Sequence, residues 1–216
     1  MDDTLRDILT LVEKGTVEQR CAALLVLGAL KCNSAPAVKL VGTLLDHPNP
    51  VIKDYALRYF EEVQSNKNIT QLLKMLTDPD KELQERAIRS LIGAGQSAVQ
   101  PLLQGIAEAT RPWQVNAARV LAAVRGRTAM KGLLQLLAGG TDDGNRLICD
   151  LMTPAVREMN DKEQESFYDD VEAFAAKLDE KQQRPAVVSI MRLLGQLGRP
   201  QARRWLFKFI GAEHHP

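Results

Sequence analysis

Residues 46–60 read DHPNPVIKDYALRYF and residues 78–91 read DPDKELQERAIRSL, so two stretches of the chain share one layout. Each begins with a turn rich in Pro and Asp and continues with apolar residues at spacing i, i+4, i+8. These apolar residues are Ile52, Ala56 and Phe60 in the first stretch and Leu83, Ala87 and Leu91 in the second. That spacing places them on one face of an α-helix. Both stretches are therefore predicted to be a turn followed by an amphipathic helix.

A second apolar pattern, with spacing i, i+3, i+7, recurs along the whole chain and predicts a helix that precedes each of these segments. Successive copies start 33, 31, 30, 31, 41 and 31 residues apart. The seven copies are Leu5, Ile8, Val12; Val38, Val41, Leu45; Ile69, Leu72, Leu76; Val99, Leu102, Ile106; Met130, Leu133, Leu137; Val171, Phe174, Leu178; and Ala202, Trp205, Phe209. Coincidence is a poor explanation for seven copies, so the sequence is predicted to be a helical repeat.

The i, i+4, i+8 stripe predicts a second helix in most repeats. Outside the two quoted stretches, the copies are Val17, Cys21, Leu25; Trp113, Ala117, Leu121; and Pro185, Ser189, Leu193. The fifth copy is imperfect because Leu147 and Leu151 fit, whereas Asp143 occupies the first position. A helix pair cannot bury its apolar faces alone, and stacking neighbouring pairs completes the core. We therefore predict an all-α solenoid (α-α superhelix) of about six helix pairs plus a C-terminal helix.

The two quoted stretches resemble the D-P-x-x-x-V-R-x-x-A-A-x-A-L core of short HEAT repeats, including those of phycobilisome-lyase-like proteins. The resemblance covers residues 1–157 well and residues 160–211 loosely. It implies an armadillo-like helical fold whose second helices line a concave face, and it is unspecific for function. The family often has Arg after the Val of the second helix, paired with Asp of a neighbouring turn. Here those positions hold Glu18, Lys53, Gln84 and Gln114, so the Asp–Arg ladder is expected to be mostly missing.

Repeat spacing and charge divide the chain into segments. Residues 160–181 contain eight Asp or Glu against three Lys, whereas residues 182–216 contain six Lys or Arg against one Glu. This shift predicts a subdomain junction near residue 158. The predicted domains are 1–157 with five HEAT-like repeats, 158–211 with a divergent sixth repeat and a terminal half repeat, and 212–216 as a tail.

Composition argues against several functional classes. The net charge of +1 provides no global field for nucleic acid, so nucleic-acid binding is not expected. No apolar run approaches the roughly 20 residues that span a bilayer, and the acidic N-terminus is unlike a signal peptide. The three cysteines (Cys21, Cys32 and Cys149) lack metal-ligand spacing and suggest free thiols. We therefore expect a cytoplasmic protein that uses neither a membrane nor a cofactor.

The residues that usually perform catalysis are scattered. His47 lies in a Pro-rich turn, and His214 and His215 lie at the terminus, so none has a second metal ligand at helical spacing. The stretch from Gly139 to Gly144 lacks the Lys of a phosphate loop and the alternating carboxylates of a calcium loop. Asp78, Asp80 and Glu82 are expected to cap a helix. The sequence thus predicts neither a metal site nor an enzyme.

Arginines at one position of three second helices form the first candidate binding surface. Arg58, Arg89 and Arg119 each follow the stripe Ala by two residues, and Tyr55, Arg86 and Asn116 are expected beside them. An arginine row on a concave face would suit an acidic protein partner, since guanidinium groups bind carboxylates well. The alternative is a solvated charged face with the local pairs Asp54–Arg58 and Glu85–Arg89.

The C-terminal helix provides the second candidate surface. Leu206, Phe207 and Ile210 would form an apolar strip with Arg203 and Arg204 at its edge. The strip would support self-association or contact with another partner, unless the helix folds down as a cap and hides it. The leading functional prediction is a non-catalytic protein-interaction scaffold or adaptor. The alternative is a bilin lyase-like subunit for chromophore attachment or maturation, which co-expression with a pigment acceptor would reveal as visible absorbance.

Overall fold

The computed structural model describes residues 3–63, 68–106, 108–178, 183–197 and 207. Within these residues the chain is all-helical, with twelve α-helices, two short 3₁₀ turns and no strand. The predicted all-α class and the six helix pairs are confirmed. The seventh apolar copy (Ala202, Trp205, Phe209) lies outside the described residues.

The helices alternate as first and second members of each repeat. The first members are α1 (Asp3–Lys14), α3 (Ala35–Thr43), α5 (Ile69–Lys74), α7 (Gln96–Ile106), α9 (Arg127–Ala138) and α11 (Asp161–Ala175). The second members are α2 (Val17–Ala29), α4 (Pro50–Val63), α6 (Lys81–Ala94), α8 (Arg111–Val124), α10 (Asp142–Arg157) and α12 (Arg184–Leu197). The 3₁₀ turns Leu44–Asp46 and Met75–Thr77 extend α3 and α5.

The chain forms two compact units, Met1–Glu108 and Ala109–Pro216, here called unit 1 and unit 2. In unit 1, α2 packs on α4 and α4 packs on α6, while α1 contacts α3 on the other layer. In unit 2, α8 packs on α10 and α10 on α12, while α9 contacts α11. Within each unit the second helices thus lie side by side, and the fourth repeat is divided, with α7 in unit 1 and α8 in unit 2. Residue 158, where the charge shift predicts a junction, lies inside unit 2 at the C-cap of α10.

Most residues of the described first-helix triplets are buried, whereas the predicted register is wrong in two second helices. In α2 the buried residues are Cys21, Leu24 and Leu27, while the predicted Val17 and Leu25 are exposed. In α10 the buried stripe is Ile148, Met152 and Val156, one position after the predicted Leu147 and Leu151. The reason in α2 is that apolar residues occur on both faces, so periodicity does not identify the buried one.

Buried side-chain amides bond main-chain carbonyl groups of first helices and their 3₁₀ extensions, a feature that apolar spacing does not reveal. Asn68 Nδ2 donates to the carbonyl of Val38 at 2.6 Å, Gln84 Nε2 to that of Leu76 at 3.0 Å, and Asn145 Nδ2 to that of Leu137 at 2.9 Å. Leu76 and Leu137 lie near the C-terminal ends of their elements, where carbonyls lack a partner within the helix, whereas Val38 lies inside α3.

Candidate functional site

The second helices of unit 1 bring three of the predicted arginines together. Arg58 lies on α4, and Arg86 and Arg89 lie on α6, which packs against α4. Two carboxylates on α4, Asp54 and Glu61, bind all three guanidinium groups. We call these five residues the α4–α6 network. Sequence spacing predicts the arginines of this network, but not the ion pairs by which Asp54 and Glu61 link α4 to α6.

The contacts of the α4–α6 network form a continuous chain of ion pairs. Arg58 Nε lies 3.0 Å from Asp54 Oδ2, and Arg86 Nε lies 2.5 Å from Asp54 Oδ1. Arg86 Nη1 lies 3.0 Å from Glu61 Oε2, and Arg89 Nε donates to Glu61 Oε1 at 2.8 Å. Each carboxylate therefore joins two arginines, which fixes the side chains more firmly than isolated surface pairs would.

Burial differs between the centre and the ends of the network. The Arg86 side chain is 15% exposed, whereas those of Arg58 and Arg89 are 42% and 53% exposed. Partial burial opposes the charge of Arg86, but Asp54 and Glu61 outweigh it and raise the pKa of this guanidinium. The centre of the network is structural, while its two ends present guanidinium groups to the surroundings.

Two alternatives were predicted for this surface, an arginine row and a charged face with local ion pairs, and the structure contains features of both. The local pair Asp54–Arg58 is formed, and Arg58 also lies over the Tyr55 ring, 5.0 Å from its centroid. Arg89 bonds Glu61 of the neighbouring repeat. The arginines are thus not a row of isolated cations, because carboxylates of the same face neutralise much of their charge.

Two members of the predicted surface lie in unit 2. Arg119 is half-buried on α8, and its Nη1 lies 3.3 Å from Asn116 Oδ1. Asn116 is buried, with 7% exposed, which corrects the prediction that it stands on the surface beside the row. Asn116 lies on the buried face of α8, beside Ala117, and not on its exposed face.

A groove of about 360 Å³ lies between α2 and α4 beside the α4–α6 network. Its walls combine apolar and charged side chains, so it offers both a contact surface and hydrogen-bonding groups. The lining residues are Leu24, Leu25, Gly28, Arg58, Tyr59, Glu61, Glu62 and Arg86. Leu25 is exposed at this groove, although its spacing predicted a core position.

A larger cavity, of about 450 Å³, lies within unit 2. Its floor includes Met130 and Phe167, and two ion pairs, Arg125–Glu158 and Arg127–Asp170, lie among its walls. Both pairs join residues far apart in sequence, so periodicity could not reveal them. Because the cations along its walls face carboxylates of the same cavity, the site has no clear preference for a charged ligand.

The two buried thiols, Cys21 and Cys149, are poorly placed for nucleophilic chemistry. Burial raises the pKa of the Cys149 thiol to about 11, and its Sγ lies 3.2 Å from the carbonyl oxygen of Ser189. Burial, together with the carboxylates of Glu18 and Asp54, also raises the pKa of Cys21. Since the thiolate is the reactive form, both groups are held in the unreactive state at neutral pH.

This arrangement predicts selective alkylation of the native protein. Cys32 is half-exposed, whereas Cys21 and Cys149 are buried, so iodoacetamide is expected to modify Cys32 first. Peptide mass spectrometry over time would show Cys32 labelled in the native state and all three cysteines labelled in urea. Labelling of Cys149 at the rate of Cys32 in the native protein would contradict the burial described here.

Three further predictions concern membrane spans, metal ligands and the C-terminal apolar strip. No helix among them is long and apolar enough to cross a bilayer. Within the same residues, no three His, Cys, Asp or Glu side chains converge as metal ligands would. Of the predicted C-terminal strip, Leu206 and Ile210 lie outside the described residues, whereas Phe207 is helical and 72% exposed.

Among the comparisons with known proteins, only the comparison with solved structures finds proteins similar to this chain. No family model matches the chain, and no curated protein matches it. A "Designed armadillo repeat protein" is 14% identical, with 88% of this chain and 99% of that chain covered and a TM-score of 0.43. Two engineered proteins of the Northeast Structural Genomics Consortium are each 17% identical. They cover 91% and 89% of this chain and 98% and 99% of their own, with TM-scores of 0.41 and 0.45. Likenesses this distant say nothing about function, so what can be inferred rests on the helix pairs themselves.

Proposed function

We propose that the chain is a non-catalytic protein-interaction scaffold that binds a protein partner on the face formed by α4 and α6. The observation that supports this most directly is the α4–α6 network, which holds Arg58 and Arg89 half-exposed in fixed positions. A side chain already held in its binding conformation loses less entropy when a partner binds, so the same contact gives more affinity. Flexible isolated arginines would not have that advantage.

The charges indicate the chemistry of the partner. The three guanidinium groups are paired with Asp54 and Glu61, and Arg86 also pairs with the exposed Glu82, so cations and carboxylates of this face are balanced. Each guanidinium carries five N–H donors, more than these ion pairs use, so donors at Arg58 and Arg89 remain for carboxylate or carbonyl groups of a partner. The neighbouring groove adds Leu25 as an apolar contact. A protein segment that combines acidic and apolar side chains fits this surface best.

A matched pair of variants tests the proposed function. Replacing Arg58 and Arg89 by Gln removes two cations from the proposed face, and replacing Arg6 and Lys39 by Gln removes two exposed cations from the first helices α1 and α3. Affinity capture from native lysate, read by mass spectrometry, should lose its main captured protein at least tenfold with the first variant only. Asp54 and Glu61 keep Arg86 as a partner in this variant, so we expect a loss of stability of no more than about 1–2 kcal/mol, and thermal unfolding of both variants checks that they remain folded.

Equal capture by both variants would show that the α4–α6 face is a solvated charged surface and would contradict the proposal. Equal loss with both would point to net charge rather than to this face. Arg119→Gln, tested as a separate single variant, shows whether this arginine of unit 2 also contributes to capture.

A further inference from the structure

The cavity of about 450 Å³ in unit 2 combines an apolar floor with charged walls. Its apolar lining includes Met130 and Phe167, which are buried, and Met159, which is half-exposed. Its volume lies within the range of roughly 300–1,000 Å³ that is usual for sites that hold small molecules. The proposed function makes no use of this cavity, which lies outside the α4–α6 network.

The charged side chains of the cavity balance one another. Arg125 pairs with Glu158, and Asp170 accepts hydrogen bonds from Arg127 Nε and Nη2, each at 2.8 Å. The other charged residues of the lining are one lysine and one glutamate. A ligand with a net charge would gain no net attraction here, and it would lose its hydration on entering an apolar floor. The cavity therefore favours an uncharged ligand.

The lining residues also favour an aromatic ring over an aliphatic chain. The polarizable sulfur of methionine makes favourable contacts with aromatic rings, and Met130 and Met159 both line the cavity. Phe167 offers a ring for edge-to-face or offset stacking. Guanidinium groups bind the faces of aromatic rings, and those of Arg125 and Arg127 lie at the walls.

Arg125 adopts a backbone conformation that is normally found in glycine. Its φ of 61° and ψ of −163° lie outside the regions that most side chains allow. One repeat earlier, the residue after α6 has a similar conformation, with φ 60° and ψ −136°, and it is Gly95. The ion pair of Arg125 with Glu158 is half-exposed, and such a pair stabilises a fold by less than this strain destabilises it. Stability alone therefore does not account for an arginine at this position of the cavity wall.

We propose that the cavity binds a small, uncharged aromatic molecule that carries one polar group. Its ring contacts Met130, Met159 and Phe167, and the guanidinium group of Arg125 covers the ring. The hydroxyl group of Ser166, which also lines the cavity, forms a hydrogen bond with the polar group. This site lies on helices of unit 2 and goes beyond the proposed function, so either proposal can fail without the other.

Titration of the full chain with 2-naphthol tests the proposal, with the methionine methyl groups labelled with ¹³C and observed by NMR. An aromatic ring shifts the resonances of nearby methyl groups, so the signals of Met130 and Met159 should move and reach saturation. The signal of Met75, which lies in unit 1, should stay in place. Absence of a saturable shift at Met130 and Met159 would overturn the proposal.

Matched competitors test the chemistry of the ligand. The saturated analogue 2-decalol, the anion 2-naphthoate and the cation 2-naphthylmethylammonium should each bind at least fivefold more weakly than 2-naphthol. Equal binding of 2-decalol would overturn the preference for an aromatic ring, and equal binding of either ion would overturn the preference for an uncharged ligand. Tighter binding of N-acetyltryptophan amide would overturn a free small molecule in favour of an aromatic side chain of a protein.

A variant that fills the cavity tests its location. Ser166→Leu places a larger side chain in the lining of the cavity and should weaken the binding of 2-naphthol at least tenfold. Glu165→Leu introduces the same side chain at the neighbouring exposed position of α11, which does not line the cavity, and should bind 2-naphthol as the wild type does. Equal binding by the two variants would overturn this location.

Arg125→Gly separates binding from stability. Glycine adopts the observed conformation without strain, so the midpoint of thermal unfolding should be unchanged or higher. The affinity for 2-naphthol should fall at least fivefold, because the guanidinium group is lost. A lower midpoint would show that Arg125 serves the fold, and unchanged affinity would show that it does not contact the ligand, so either result would overturn the role proposed for this arginine.

Discussion

Replacing Arg86 by Met is expected to lower the free energy of unfolding of unit 1 by about 2–3 kcal/mol. Arg86 is the central cation of the α4–α6 network and contacts both Asp54 and Glu61. Met keeps the length of the side chain but removes the charge and its donors. Both carboxylates are mostly buried, so each would keep only one terminal arginine as partner. Removing one member of a buried pair usually costs more, and the remaining arginines reduce the effect here.

Hydrogen exchange provides the appropriate measurement, because neither of the two tryptophans belongs to unit 1. Peptides from α4 and α6 should exchange faster in Arg86→Met, while those from unit 2 stay unchanged. The control Arg6→Met removes an exposed arginine paired with Asp3 and should change stability by less than about 1 kcal/mol. Adding Asp54→Asn and Glu61→Gln to Arg86→Met should recover much of the loss, because the unpaired charges are then removed. No recovery would mean that Arg86 stabilises through packing of its alkyl chain.

The repeat could be predicted because a helix pair leaves a periodic apolar signal. Val38, Val41 and Leu45, for example, are all buried as their spacing predicts. The same signal fails where a helix carries apolar residues on both faces. In α2, Leu24 and Leu25 are equally apolar, yet contacts with α1 and α4 bury only Leu24. The choice between them depends on the neighbouring helices and not on the spacing.

The α4–α6 network shows a second limit of sequence patterns. The recurrence of Arg58 and Arg89 was visible from the repeat spacing, and the pair Asp54–Arg58 follows from helix geometry. The bond between Arg89 and Glu61 joins residues 28 positions apart. Its formation depends on how α6 packs against α4. Local spacing could predict the residues of this surface but not their partners.

Asp170 on α11 is the corresponding centre of charge in unit 2. Its two carboxylate oxygens accept hydrogen bonds from Arg127 Nε and Nη2, each at 2.8 Å, and Lys131 Nζ lies 3.2 Å from Oδ1. The carboxylate is buried, whereas both cations are at least half-exposed. The hydrogen bonds from Arg127 outweigh the burial of this carboxylate and, with Lys131, lower its pKa.

We expect Asp170→Asn to lower the free energy of unfolding of unit 2 by about 1–2 kcal/mol at neutral pH, because the charged hydrogen bonds are lost. The loss is moderate because solvent screens Arg127 and Lys131, which are at least half-exposed. Because the pKa of Asp170 is lower in the folded state than in the unfolded chain, the ionised carboxylate stabilises the fold above the unfolded pKa. That contribution decreases as the pH falls through the folded pKa. The difference between wild type and Asp170→Asn should therefore be constant above about pH 5 and shrink below about pH 4. Urea unfolding followed by tryptophan fluorescence reports on unit 2 through Trp113 on α8. Glu165→Gln makes the same chemical change at an exposed position of α11 and should have little effect at any pH. A difference for Asp170→Asn that persists unchanged in acid would show that the amide disturbs packing, and that the charged bonds to Arg127 and Lys131 are not what stabilises this part of the fold.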